Sequence, residues 1–394
     1  MLSSVKRDCE NNESHYKILY MLICLTCMNF MGNGAAILLL CSFFAILSFR
    51  IYIKIDDVFV LLISLFSGVL LSSILFGKVD DVLKSFNFLF PYFIGYSGCV
   101  ASEDKDEYVK KSNLAVFMGF GIYLIFICYY NYDKFAGSRL FINPWTNQLM
   151  LATIAGLISS VVIGYSFYGL FISKNVALKI ISVVLLVLAI ILNLNTATRT
   201  PIVMLLIVYV LGTISYLIGA EKKENKIRTY GIITLICATS FFLYTLLLKD
   251  YVYESFLYER ISNQGIETSR IQIMYDHFKY MFDYLWGGGQ ISILANNLPH
   301  NFIQEGHDLY GIVVFVALLF IFIRGALKCG HLFFKRNKSS IDNLMFCFYL
   351  SVLVQMCMEP VFRGYPQLFW VFLLVDGVYD GYYKKQDMAF VREQ

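Results

Sequence analysis

The feature that most constrains this chain is a succession of apolar runs, each about as long as the 20 residues a helix needs to cross a hydrocarbon core of roughly 30 Å. Residues 58–76 read VFVLLISLFSGVLLSSILF without a single charge. A helix apolar on every side has no place on the surface of a water-soluble globule, because it presents no polar face to water. With 58% hydrophobic and only 15% charged residues, the 394-residue chain has too little polar surface to cover a soluble core of that size. A polytopic membrane protein follows.

Hydropathy places the runs at 18–31, 35–49, 58–76, 85–100, 114–130, 149–171, 176–194, 201–218, 230–248, 309–326, 341–358 and 365–378. The expected fold is an all-α bundle of about 12 transmembrane helices. It forms a single integral membrane domain over 1–394, with one long loop, 249–308, between the ninth and tenth spans. The first two runs are short and read either as two spans or as a re-entrant hairpin, and both leave the orientation downstream unchanged. Lys and Arg resist translocation and collect on the cytoplasmic side. With the N-terminus inside, three basic clusters fall on that side: Lys105, Lys110 and Lys111; Lys222, Lys223, Lys226 and Arg228; Arg324, Lys328, Lys335, Arg336 and Lys338. Both termini are then cytoplasmic and the long loop lies outside.

All the cysteines except Cys9 lie within or beside apolar runs, so no outer disulfide framework is expected. Cys24 and Cys27 form a C-x-x-C inside an apolar run, without His or acidic companions, which argues against metal or redox chemistry. No small-residue cleavage site precedes the second run, so a cleavable signal peptide is not expected. No P-loop, dinucleotide fingerprint or D-x-D-like metal diphosphate site stands out, and 287–289 reads as a loop break. No cofactor, metal or nucleic acid is expected.

The 249–308 loop does not read as disordered. It carries Tyr251, Tyr253, Phe256, Leu257 and Tyr258, then Ile273, Met274, Phe278, Met281 and Leu285 at helical spacing. Amphipathic helices on the outer membrane surface fit this pattern, as do helices that simply pack on the bundle. Three histidines, His277, His300 and His307, lie in the loop. His300 follows Pro299, which favours a first helical turn, and the helix is expected to run on through Gly311 into the tenth span. The positive end of a helix dipole disfavours an imidazolium, so His300 is expected to be neutral and able to accept a proton.

Arg199, in T-A-T-R-T-P, stands where Thr200 can cap the eighth span and Pro201 can occupy its first turn. It reads either as an interfacial Arg reaching to headgroups or as a phosphate clamp, whose planar donors suit phosphate oxygens. Arg363, in E-P-V-F-R-G-Y-P, precedes the last span; it reads as a second anion ligand or as the salt-bridge partner of Glu359. Arg270, in E-T-S-R, is either another phosphate ligand or simply solvated. In the expected topology Arg199, His300 and Arg363 gather at one membrane face.

T-R-T-P at a span mouth, S-R in a long outer loop, W-G-G-G, then P-H-N-F-I-Q-E and G-I-V leading into the next span: this order resembles the O-antigen polymerase and ligase superfamily, the Wzy and WaaL proteins. The resemblance covers residues 195–366 best; earlier residues match in topology only. It implies a metal-independent glycosyltransferase at the periplasmic face of a bacterial inner membrane. Its partners would be undecaprenyl-diphosphate-linked oligosaccharide donor and acceptor, the bilayer and a chain-length regulator membrane protein. Carried over, His300 and Arg199 are the catalytic residues, with His300 on the acceptor hydroxyl and Arg199 and Arg270 on the diphosphate. Arg363, which the resemblance does not supply, is expected to join Arg270 in binding substrate from its place at an outward helix end. One departure stands out: family members carry a more basic third outer loop, whereas 131–147 offers only Lys134 and Arg139.

The leading expectation is the polymerase, which joins lipid-linked repeat units. The ligase, which transfers glycan to lipid A core, shares its architecture. A flippase for lipid-linked oligosaccharide would need ionisable residues along a path through the bundle, and the apolar runs here are nearly free of charge.

Overall fold

The computed structural model describes residues 2–48, 53, 55–132, 140–219, 258, 270–295 and 298–392. Among these it is helical apart from one short hairpin. In order come α1 Leu2–Cys27, α2 Gly34–Ser48, α3 Asp57–Leu75, α4 Val79–Ser85, α5 Phe90–Ala101 and α6 Lys105–Tyr130. The hairpin β1 Leu140–Ile142 and β2 Leu149–Leu151 follows, then α7 Ala152–Phe167, α8 Val176–Asn195 and α9 Arg199–Gly219. The last six are α10 Arg270–Tyr280, α11 Gln290–Ala295, α12 Phe302–Tyr310, α13 Ile312–Phe334, α14 Ser340–Met358 and α15 Gln367–Arg392. Seven helices among the described residues are long and apolar enough to cross a membrane: α3, α6, α7 with its π-helical last turn, α8, α9, α13 and α14. The run at 230–248 lies outside the described residues.

The chain divides into two compact units, Met1–Tyr123 with Ile273–Ile323 and Pro360–Gln394, and Leu124–Gln272 with Arg324–Glu359. In the first, α1 and α2 are separated by a reversal whose Asn29 and Met31 take left-handed φ of 46° and 53°. The Asn29 carboxamide oxygen holds it, accepting from the Gly34 amide and the Gln367 side chain at 2.9 Å each. At 15 residues α2 is shorter than a span.

The 85–100 run, expected as one span, is not continuous: α4 ends at Ser85, a 3-10 turn follows at Phe86–Phe88, and α5 begins at Phe90. Pro91 explains the break. It occupies the first turn of α5, where its missing N–H costs nothing, but its ring would clash with the Asn87 carbonyl in a continuous helix.

Helix α5 lies against α15 through small residues. A methyl group placed on Gly95 would come within 2.0 Å of the Leu374 carbonyl, and one on Gly377 within 2.0 Å of the Tyr92 carbonyl. Between apolar helices in lipid there is no hydrophobic gain to drive association, so backbone approach of this kind is what favours it. Aromatic rings close the core nearby: Phe362 and Phe369 lie 5.4 Å apart, and Phe302 is 5.9 Å from Phe369.

In the second unit α7 contacts α14, where a methyl group on Gly164 would lie 2.7 Å from the Ser351 side chain, and the Gln355 amide donates to Ser160. A capping box at Ser339 and Asp342 starts α14. Hydropathy predicts a single helix over 149–171. Its first three residues pair in β2 instead, because the Asn131 side chain fixes Ile142 of β1 through both its backbone groups, at 2.7 and 3.0 Å. Helix α8 exposes Ile180, Val184 and Val187, an apolar face that a bilayer satisfies and water does not.

Candidate functional site

Two glycine breaks build the framework around His300. Residues 287–289 all take positive φ, 81°, 83° and 84°, and the amides of Gly288 and Gly289 donate to the carbonyls of Leu309 and Asp308 at 3.1 and 2.6 Å. Gly311, at φ 88°, ends α12, and a methyl group there would sit 2.4 Å from the Leu285 carbonyl. The sequence pattern predicts one helix running through Gly311. The chain turns there instead, because the W-G-G-G strip packs its backbone directly against the α12 terminus.

His300 is not in a first helical turn either. Asn301 is the N-cap of α12, its side-chain oxygen accepting from the Gln304 amide at 2.8 Å, so half-buried His300 stands one residue before the cap. A carboxamide acceptor makes a better cap than anything Pro299 offers. His300 still lies at the positive end of the helix.

Two acids on α12 capture the turn that follows α14. Glu305, fully buried, accepts the amides of Val361 and Phe362 on Oε2 at 2.6 and 2.7 Å, and the amide of Arg363 on Oε1 at 2.6 Å. One turn further, Asp308 accepts from the Arg363 guanidinium at 2.6 Å and from the Ser292 amide and hydroxyl. Arg363 therefore pairs with Asp308; it does not make the Glu359 salt bridge weighed from the sequence. Burial pushes the Glu305 carboxyl up to about 7, against the downward pull of the three amides. For Asp308, burial also works upward, but the bonds from Ser292 and Arg363 outweigh it and hold the carboxyl below its ordinary range.

Helix α10 buries Ile273 and His277 and exposes Tyr275 and Phe278; just past its end Met281 is buried and Phe282 exposed. Of the apolar positions read at helical spacing, Ile273 and Met281 are buried while Met274, Phe278 and Leu285 are exposed, and the buried stripe runs through His277. The His277 and His307 rings meet edge to face at 5.2 Å, and neither nitrogen of His277 has a hydrogen-bond partner among the described residues. Burial takes the His277 pKa down to about 4, helped by its histidine neighbour. The side chains from Tyr251 to Leu257 lie outside the described residues, as does the side chain of Arg270, whose backbone begins α10.

In the second unit α9 begins at Arg199 itself, so Thr200 is not its cap. The Thr200 hydroxyl instead donates to Glu359 at 2.5 Å. Preceding turns are tied by hydroxyls: Thr198 donates to the Asn193 carboxamide, and Thr196 bonds Thr198, both at 2.7 Å. Ala197, at φ 52°, makes the bend. This leaves Arg199 in the first turn of a 21-residue helix with its Nε buried and without a hydrogen-bond partner among the described residues.

No protein-family model matches the chain, and no curated protein matches it. Among the described residues no three His, Cys, Asp or Glu side chains are grouped to hold a metal ion. A cavity of about 440 Å³ in the first unit, lined by Tyr16, Tyr20, Tyr108 and Glu103, contains none of the candidates. His300 and Arg363 fall in the first unit, both joined to α12, while Arg199 and Arg270 belong to the second. From the sequence, Glu305 enters only as the end of P-H-N-F-I-Q-E, without a role, and Asp308 and Ser292 are given none. A signal existed for the acids: two carboxylates three residues apart, four and seven residues after Asn301, are conspicuous in a chain with so few charges.

Proposed function

We propose that this protein is an O-antigen-type polysaccharide polymerase, an inner-membrane glycosyltransferase of about twelve spans whose 249–308 loop is periplasmic. It joins undecaprenyl-diphosphate-linked oligosaccharide units without a metal. One observation carries the reading. Arg199 places a permanent cation at the positive end of α9 with a buried Nε that has no partner among the described residues, an arrangement that repels until an anion arrives. A lipid diphosphate supplies that anion.

In the reaction, an acceptor sugar hydroxyl attacks the anomeric carbon of the donor, and the bond from that carbon to the diphosphate oxygen breaks. His300 takes the hydroxyl proton, and Arg199 with Arg270 receives the charge developing on the diphosphate. Stabilising the leaving group is where fixed charges lower the barrier most, and a neutral imidazole suits the proton transfer. Arg363 already shares its charge with Asp308, so in this reading it binds substrate as a partly neutralised donor.

The test compares deletion with point variants. Deletion is expected to leave a single repeat unit on lipid A core in a lipopolysaccharide gel; absence of any repeat with accumulated lipid-linked polymer would assign the ligase instead. Arg199→Ala and His300→Ala are expected to stay in the membrane at normal amounts and lose long-chain glycan. Normal chain-length ladders in both would remove the proposed site.

A further inference from the structure

A carboxylate that accepts three consecutive backbone amides is an unusual commitment for a fully buried acid. Each bond is short, 2.6, 2.7 and 2.6 Å, and the partners lie 56 to 58 residues away along the chain. The three amides converge as donors usually do around a bound anion. Here the acceptor is a side chain of the protein.

Its position gives the contact a consequence. Glu305 lies near the start of α12, whose first residues follow His300 and the Asn301 cap. The amides it holds belong to the turn that carries Arg363, and Asp308 on the next turn of α12 takes the Arg363 guanidinium. Phe302, on the same helix, packs 6.3 Å from Phe362 in that turn. Gly306 leaves room for the approach: a methyl group there would lie 3.3 Å from the Phe362 ring and 2.2 Å from Leu318.

We propose that Glu305 is a positioning residue that locks the Arg363 turn onto the helix that follows His300, so that the proton acceptor and the guanidinium move as one piece. Glu305 touches no substrate in this scheme and acts through Arg363. A carboxyl group is required because both oxygens must accept. In the Glu305→Gln variant one of them becomes an N–H donor aimed at an amide donor, and a buried contact of two donors costs more than a missing bond. The role in transfer rests on the polymerase reading, whereas the lock itself does not.

The experiment uses the full-length protein in lipid nanodiscs and the variants Glu305→Gln, Arg363→Lys and their double. Amide hydrogen exchange over residues 361–363 is expected to quicken by about tenfold or more in Glu305→Gln, with α5 and α15 unchanged. Unchanged exchange at those amides overturns the lock. Transfer is followed with undecaprenyl-diphosphate-linked oligosaccharide. Glu305→Gln is expected to lower kcat by about tenfold or more with donor KM little altered, and the double variant to be no slower than the slower single. Losses that multiply in the double variant overturn action through Arg363. Should Glu305→Gln fail to fold, Glu305→Asp, which keeps two accepting oxygens on a stem one methylene shorter, is expected to quicken the same three amides; full protection there overturns the lock. Absence of transfer by the wild-type protein, with quickened exchange in either variant, would defeat the polymerase reading and leave the lock standing.

Discussion

Acid should loosen the α10–α12 pair, and His277 makes the effect measurable. It is 1% exposed, its ring packs against that of His307, and neither nitrogen has a partner among the described residues. Burial lowers its pKa from 6.5 to about 4, so the folded protein holds it neutral over a range in which the unfolded chain takes up a proton. The stability contribution is complete above about pH 6.5 and is lost as pH falls toward 4. At about pH 5 the loss comes to roughly 2 kcal/mol, and at about pH 7.5 to almost nothing.

Glu305 has the opposite sign. Its raised pKa means that its contribution is complete below about 4.5 and is lost as pH rises through about 7. The pH dependence of the wild type alone therefore mixes the two. Replacing the ring by a similar apolar volume, His277→Leu, isolates the histidine, because Glu305 cancels in the difference. Thermal or denaturant unfolding in nanodiscs should show the variant gaining about 2 kcal/mol on wild type between pH 7.5 and pH 5. Hydrogen exchange over 273–281 should quicken with acid in wild type only. A wild-type-minus-variant difference that stays constant across that range would refute the assignment of His277 as a buried neutral base.

Other outcomes follow from single contacts. Arg199→Lys keeps the charge but loses the planar donors, and transfer should fall by at least about tenfold while the protein inserts normally; an unaltered rate would argue for headgroup anchoring. Thr200→Val removes the donor to buried Glu359 and should cost about 1–3 kcal/mol of stability, read by thermal unfolding. Gly311→Ala meets both a positive φ and the Leu285 carbonyl at 2.4 Å, so about 1–3 kcal/mol should be lost; full stability would contradict the break between α12 and α13.

The spans that were legible in the sequence are those whose ends carry no competing turn, such as 58–76, 176–194 and 341–358, which match α3, α8 and α14 closely. Hydropathy averages over a window, so it runs straight through Pro91 and Gly311, where one residue redirects the chain. The placement of Arg199 in a first turn is hidden for a related reason, since Thr200 looks like a cap until its hydroxyl finds Glu359. The tie between Glu305 and the 361–363 amides was illegible for another. A carboxylate bound to backbone leaves no partner side chain to recognise, and any residue with an N–H would serve at those positions.

The crossing of α5 and α15 constrains length more tightly than composition. Where Gly95 and Gly377 each face a carbonyl, neither helix can be lengthened upstream without turning the small residue away. One residue inserted between Gln367 and Asp376 rotates the crossing by about 100° and brings Asp376 to the place where a single methyl group already clashes. From Gln367 to Tyr382 every side chain of α15 is buried, so the helix has no outward face to take up a misplaced residue. Among related chains the spacing from Pro366 to Gly381 should therefore stay free of insertions and deletions.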